Sequence, residues 1–410
     1  MQTEIVLQNH LAYLCHIVGS RMAGTEQNLQ AAAYIRQIFR EAGLHVQQQR
    51  FDCPTWQVRH STLSVNGEQL PCLVNPFSPP CDITAKIAVV RTMAELQATS
   101  LDNRICVLVG DLSKETLSYP SNPVFVLPHH KAVAEQLKEK APTAVIAVSL
   151  SPGYRVPIIE DPDFGIPSVT ISAETGLRLV QGGETAVSLT VDSSITEGHA
   201  FNIIGSNGVP ADRRIVLTAH YDTKPYTTGG FDNGSGIATL LALAQRLTVL
   251  DLQIDLEFVA FGGEEYAQGG DTYLEQFGLQ IVPFGSDAPH QPSDLDNVLL
   301  AINFDGIGAW LGADTVAVMS ASAQLEETVR RVTHTHKGML LVDPWPASNH
   351  YDFYTHHVPT VAMSSVGMTN LIHHERDTTA WVSSAKLAEV MQFVEELILA
   401  IQDKPLNWAR

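Results

Sequence analysis

The stretch from Ile215 to Leu247, IVLTAHYDTKPYTTGGFDNGSGIATLLALAQRL, leaves few folds open. Its apolar, β-branched start (Ile215, Val216, Leu217) reads as a buried strand ending at His220. A turn rich in Pro, Thr and Gly follows, from Thr223 to Gly230. Between Gly234 and Leu247 the apolar residues Ile237, Leu240, Leu241, Ala244 and Leu247 recur at the spacing of an amphipathic helix. His220 and Asp222 then sit at the carboxyl end of a core strand, with Asp232 just before the helix. Open α/β sheets bind ligands at that edge. One imidazole and two carboxylates converging there make a candidate metal site.

The rest of the second half repeats the pattern. Strands are expected at Asp255–Phe261, Val298–Phe304, Val316–Ser320 and Val358–Met363, and helices at Ser322–Lys337 and Ser384–Gln402. Such alternation implies a mostly parallel sheet covered on both faces, an α/β fold in three layers. Near the start, Thr25 suits an N-cap for a helix reaching Ala42, Gly43 suits the left-handed position after it, and Leu44–Phe51 reads as an edge strand. From about His60 to Ile195 the texture changes. Short β-type runs (Ile87–Val90, Ile105–Val109, Val124–Leu127, Ala144–Val148, Val187–Val191) alternate with turns, and one helical segment, Lys131–Lys140, interrupts them. No metal-type cluster is expected there: His129 and His130 are adjacent, cannot share a face of a regular element, and read as surface or loop residues. The expected organisation is a catalytic domain of residues 1–58 and 198–410 with a smaller β-rich (α+β) domain, 59–197, inserted.

At 410 residues the chain exceeds the size of a single core. The net charge of −19 argues against a nucleic-acid partner, which needs basic surface. No apolar run is long enough to span a bilayer, so no membrane partner is expected. The opening MQTEIVLQNH has neither a basic nor an apolar segment of the secretory type. The five cysteines are odd in number, loosely spaced and free of any C-x-x-C pair, so neither a disulfide framework nor a zinc ribbon is expected. These features lead to the expectation of a reduced, cytoplasmic setting.

The polar residues at the strand ends of the second half are His220, Asp222, Asp232, Glu264, Glu265, Asp305 and His373. Glu264 and Glu265 directly follow FVAFGG, and Asp305 ends VLLAINFD. Any one of them alone would read as a cap or a solvated loop residue. Charged residues recurring at the ends of core strands are costly unless paired or bound to metal. Imidazole with carboxylate, and no thiolate, suits zinc or a similar divalent ion.

The ordered motifs HYD, FDNGSG, GGEEY, INFDGIG and IHHERDT resemble the co-catalytic di-zinc aminopeptidase family of aminopeptidase Y and the bacterial leucyl aminopeptidases. GSRMAGTEQNLQAAAYIRQIF resembles the opening of these enzymes, and FGIPSVTISAETGLRL resembles part of the protease-associated domain often inserted in them. The resemblance implies two Zn2+ ions and a peptide substrate cut at its N-terminus. His220 and Asp305 would bind one zinc, Glu265 and His373 the other, and Asp232 would bridge them. Asp222 would orient the His220 imidazole, and Glu264 would be the general base acting on a metal-bridged water. The family pattern has His four residues before Asp-Thr, which selects His373 rather than His374.

His374 and Asp377 could support the site or be plain loop residues. Where relatives often carry Ser-Asp-His, this chain has Ser348-Asn349-His350. His350 and Tyr351 are candidates for oxyanion or substrate contact, and His350 could equally be a packed residue at the start of a short helix. His334, His336, His356 and His357 read as structural or surface residues. Pocket walls are expected from loops such as Gln280–Asp296. Alternatives on the same scaffold are a glutaminyl cyclase, which shares HYD-x-K (His220 to Lys224), uses one zinc and transfers an acyl group to the substrate's own amine, a carboxypeptidase, and a non-catalytic binding protein.

Overall fold

A computed structural model describes residues 2–120, 122, 126–151, 156–209, 212–266, 268–283, 286, 289–368 and 370–410. The chain divides into two units, Met1–Cys53 with Gly198–Arg410, and Pro54–Glu197. The first division falls inside one long strand, His45–Val65, five residues before the boundary read from composition. No turn marks it in the sequence.

In the larger unit the strands run in the order Met339–Leu341, Ala313–Met319, Thr360–Val366, Val298–Phe304, Arg214–His220, Asp255–Phe261 and the end of Ala186–Ser206. The four central strands, Thr360–Val366 to Asp255–Phe261, are parallel to one another. Ala313–Met319 and the Ala186–Ser206 end pair antiparallel on either side of them. Alternation along each strand sends residues to two separate cores. Ile215, Leu217, Leu256, Phe258 and Ile302 join one cluster, packed with Ile237, Leu240 and Leu241 of the helix Ser235–Leu247 and with Leu387, Val394 and Leu397 of Ser384–Ile401. Val216, Val259, Phe261 and Ala301 face the other, with Tyr273, Leu274 and Phe353. Burial on both faces is the three-layer arrangement of a parallel sheet.

Thr25 caps the helix Glu26–Glu41 by accepting from the Asn28 N–H, and Gly43 follows it at φ +83°. The helix expected at Ser322–Lys337 is shorter, Ala323–Thr333, with Ser322 as its cap. The last central strand starts later than expected, at Thr360, because Pro359 precedes it.

The smaller unit contains a mixed sheet in which Cys81–Val90, Arg104–Leu108, Ala144–Ser149 and Ser168–Ser172 are successive parallel neighbours. It has three described α-helices, Met93–Ala98, Pro128–Lys140 and Ala173–Gln181, where one was expected. The first is too short to show a period. The third carries Gly176 in its middle, where an added Cβ would lie 2.5 Å from Val148. Of the strand expected at Val124–Leu127, residues 124 and 125 lie outside the described residues, and Leu127 is the N-cap of Pro128–Lys140.

His10 is buried on the helix Gln2–Ala12, with Nδ1 2.7 Å from the Tyr34 hydroxyl. Burial pushes its pKa down to about 4 from 6.5. The unfolded chain therefore takes up this proton first, and stability falls as pH drops from about 6.5 towards 4. Between pH 7 and 5 the wild type should lose about 2 kcal/mol more than His10→Phe in urea unfolding. Equal losses in both proteins would contradict the burial of a neutral imidazole.

Candidate metal centre

Strand register sets the site. His220 pairs with Phe261, and Phe304 with Met363, so the His220 strand, the Gly262–Glu265 turn and Asp305 all leave the sheet at one edge. Gly262 is required: a Cβ there would lie 2.3 Å from the Phe201 carbonyl and 2.5 Å from the Tyr221 hydroxyl. Asp232 returns to the same edge just ahead of the helix Ser235–Leu247. His373 reaches it from the turn after Thr360–Val366, with φ +66°, a backbone conformation uncommon for a side-chain-bearing residue.

Asp232 faces two imidazoles. Its Oδ1 is 3.2 Å from His220 Nε2, and its Oδ2 is 2.9 Å from His373 Nε2. Asp305 Oδ1 lies 3.5 Å from His220 Nε2, and Glu265 Oε2 lies 3.4 Å from His373 Nε2. Two ligand-type groups result, His220–Asp232–Asp305 and Asp232–Glu265–His373, each with its donor atoms within 4.8 Å of one another. Glu264 belongs to neither group, although its charge acts on His220 and it feels Glu265, Asp305 and Asp222.

Two further carboxylates hold this arrangement through the backbone. Asp222 accepts the N–H groups of Glu264 (3.0 Å) and Glu265 (3.1 Å), while its contact with His220 Nδ1 is longer, 3.4 Å. Its main grip is therefore on the Glu264–Glu265 turn, beyond the imidazole orientation expected of it. Asp377 accepts the N–H groups of Phe231 (2.6 Å) and Asp232 (2.9 Å), which makes it more than a loop residue. Asn233 donates to the Phe304 carbonyl (2.8 Å) and accepts from Gly236 (3.0 Å) and Gly306 (3.3 Å), tying the Asp232 loop to the Asp305 strand. Lys224 donates through its backbone to Glu265 Oε1 (3.2 Å), and its ammonium is 3.7 Å from Oε2. The sequence marks Lys224 only as the end of HYD-x-K and Asn233 only as part of FDNGSG, with no role for either side chain.

The electrostatics fit a cation. Burial, with Glu265 and Asp305 nearby, pushes the Glu264 carboxyl well above its usual range. Burial and Asp232 push Glu265 to about 7, and burial and Asp232 push Asp377 to about 7. Burial opposes charge on His220, but the facing Glu264 and Asp305 raise its pKa well above the usual value. His373 rises to about 9, where Glu265 and Asp232 outweigh burial. Asp232 itself is held low: burial opposes its charge, and hydrogen bonds from both imidazoles overcome that. The site thus concentrates buried negative charge and compensates for it with protons on its own donors. Imidazole and carboxylate donors without a thiolate, in such a field, fit zinc or a similar divalent cation.

The family model described as Peptidase family M28 matches residues 202–398, which contain every member of both groups. This segment belongs to peptidase family M28. Among similar curated proteins, Aminopeptidase YwaD of Bacillus subtilis is 26% identical over 272 residues, 64% of this chain and 55% of that protein. Probable leucine aminopeptidase 2 of Aspergillus oryzae is 21% identical over 307 residues, 71% of this chain and 55% of that protein. The chain spans about half the length of these curated relatives. Among solved structures, a zinc aminopeptidase from Bacillus subtilis superposes with a TM-score of 0.77 at 21% identity, covering 99% of this chain and 97% of that one. An aminopeptidase from Aneurinibacillus sp. strain AM-1 gives 0.71 at 19% identity, covering 99% and 94%. These likenesses establish a shared fold.

The other residues singled out in this segment stand apart from both groups. His350 is fully buried, and its Nε2 lies 2.6 Å from the Trp345 carbonyl, which must accept a proton from it. Nδ1 is then a bare acceptor, and burial lowers the pKa to about 4. This tautomer has no donor left for an oxyanion. Tyr351 is buried with its ring 5.9 Å from that of Tyr354. His374 accepts from the Arg376 N–H (3.0 Å) and turns Nε2 to the Asn370 carbonyl (3.2 Å), apart from both groups. His336 is buried beside Glu396 at 3.2 Å, and His356 faces the Gln280 carbonyl at 3.0 Å. Residues 284–285 and 287–288 of the expected pocket loop lie outside the described residues.

In the smaller unit a cluster does occur where none was expected. His129 and His130 both bring Nε2 to Glu115 Oε1, at 3.3 and 3.2 Å. The two residues open the helix Pro128–Lys140, where Glu115 can reach both. The Ser118 N–H, however, donates to His130 Nδ1 at 3.1 Å. The neutral ring then carries its proton on Nε2 and donates it to Glu115, which accounts for the cluster by hydrogen bonding.

Asp377→Ala would leave two buried N–H groups without acceptors. Each such loss costs about 1–3 kcal/mol. Unfolding in the presence of a chelator should therefore show a destabilisation of at least about 2 kcal/mol. Unchanged stability would contradict the role given to this carboxylate.

Proposed function

We propose that the chain is a zinc-dependent aminopeptidase that removes N-terminal residues from peptides. The observation that carries this reading is Asp232 with one oxygen towards His220 and the other towards His373, beside a glutamate that joins neither group. His220, Asp305 and Asp232 would hold one ion, and Glu265, His373 and Asp232 a second. Two divalent cations there would supply Lewis acidity for a scissile carbonyl and the charge that makes water acidic near neutral pH.

The remaining chemistry falls to Glu264. It takes a proton from the attacking water and delivers it to the departing amine. Its burial beside both groups, while it joins neither, supports this role. Asp222 fixes Glu264 and Glu265 by their adjacent N–H groups. Successive side chains on that turn diverge, so one can ligate while the other faces substrate. The names of the curated relatives, an aminopeptidase and a leucine aminopeptidase, support release from the N-terminus. Residues 54–197 would be the inserted protease-associated-like domain, a reading supported by the strand Ser168–Ser172 followed by the helix Ala173–Gln181 within FGIPSVTISAETGLRL.

Glu264→Gln should retain zinc yet lose about 10²- to 10⁴-fold in turnover of an aminoacyl chromogenic substrate. Near wild-type turnover would remove Glu264 as the base. A free peptide should shorten from its N-terminus while its N-acetylated form resists. Shortening from the C-terminus, or pyroglutamate formation without cleavage, would contradict the aminopeptidase reading.

A further inference from the structure

Arg21 is fully buried. Its Nε donates to the Tyr221 carbonyl, its Nη1 to the carbonyls of Thr228 (2.7 Å) and Gly19 (3.2 Å), and its Nη2 to that of Gly229 (3.1 Å). Tyr221 opens the loop that leaves His220, and Thr228 and Gly229 close it three residues ahead of Asp232. One guanidinium therefore grips both ends of the segment that separates two metal-binding side chains. Its rigid fork of donors suits several acceptors at once, which an ammonium on a flexible stem does not match.

The grip extends in three directions. The Arg21 N–H donates to Thr223 Oγ1 (3.0 Å) inside the loop. Asn28 Nδ2 donates to the carbonyls of both Arg21 (3.1 Å) and Gly262 (3.2 Å), reaching the turn that carries Glu264 and Glu265. Thr228 Oγ1 donates to the Asp377 carbonyl (2.9 Å), and the Asp377 carboxylate in turn holds the Asp232 N–H. Gly229 is shaped to this contact: at φ +54°, a Cβ would lie 2.4 Å from Thr223 Cγ2 and 3.3 Å from Arg21 Nη2.

We propose that Arg21 is a positioning residue for the metal centre, fixing the spacing of His220 and Asp232 by stapling the ends of the Tyr221–Gly229 loop. The proposal rests on the metal reading above. It assigns the GSRMAGT segment a task in ion affinity as well as in folding.

The test titrates zinc into chelator-treated wild type, Arg21→Lys, Thr228→Val and a core control, Phe39→Leu, and records each apo-protein's melting temperature. Arg21→Lys keeps the charge and loses the fork, so its zinc Kd should rise about ten- to a hundred-fold. Thr228→Val, which cuts only the link to Asp377, should raise the Kd in the same direction by less. Phe39→Leu should lower the melting temperature and leave the Kd alone, as a purely structural role would. A folded Arg21→Lys with wild-type Kd overturns the proposal and leaves the metal reading standing. Should Arg21→Lys fail to fold, Arg21→Gln, titrated below its melting temperature, replaces it, and a wild-type Kd there overturns the proposal equally. Absence of zinc uptake by the wild type overturns both.

Discussion

The Asp232 carboxylate faces two imidazoles at once, and it can do so only while its own backbone is held from behind. Asp377 supplies that hold through the N–H groups of Phe231 and Asp232. Asp222 performs the matching task for Glu264 and Glu265. Each carboxylate satisfies two adjacent donors that would otherwise be orphaned in a buried loop, and in doing so aims the side chains attached to them. The parallel sheet provides the frame, since its register delivers His220, the Gly262–Glu265 turn and Asp305 to one edge.

Charge is the second constraint. The carboxyls of Asp222, Asp232, Glu264, Glu265, Asp305 and Asp377 gather around one edge, and among the described residues the cations Lys224 and Arg21 lie beside them. Negative charge in this excess suits a divalent cation. Burial and mutual repulsion drive Glu264, Glu265 and Asp377 upward. Charge this dense is costly in a folded interior, and its persistence here is better explained by a bound partner than by folding alone.

The larger unit's sheet, with His220, Glu264, Glu265 and Asp305, was legible because apolar runs that stop abruptly at His or a carboxylate mark strand ends at a binding edge, whereas Asp232 and His373 gained their places through the family resemblance. The choice of His373 over His374 came from the resemblance and its family pattern; His373 lies beside Asp232 and Glu265, while His374 closes a turn. What failed to show was whatever acts through the backbone. Arg21, Asn233 and the second task of Asp222 bind carbonyls and N–H groups, which leave no pattern in side-chain chemistry. The Glu115–His129–His130 contact was hidden because adjacency on a regular element was taken to forbid a shared partner, whereas an acid arriving over a helix start meets both rings. His350 has two open readings in the sequence, and its burial against Trp345 favours the packed one.

The central claim is that Asp232 lies between two cations. Diffraction from zinc-loaded crystals at the zinc absorption edge tests it most directly. Two anomalous peaks about 3.5–4 Å apart, one on each side of the Asp232 carboxylate, are the predicted result. A single peak, peaks remote from Asp232, or none would contradict it.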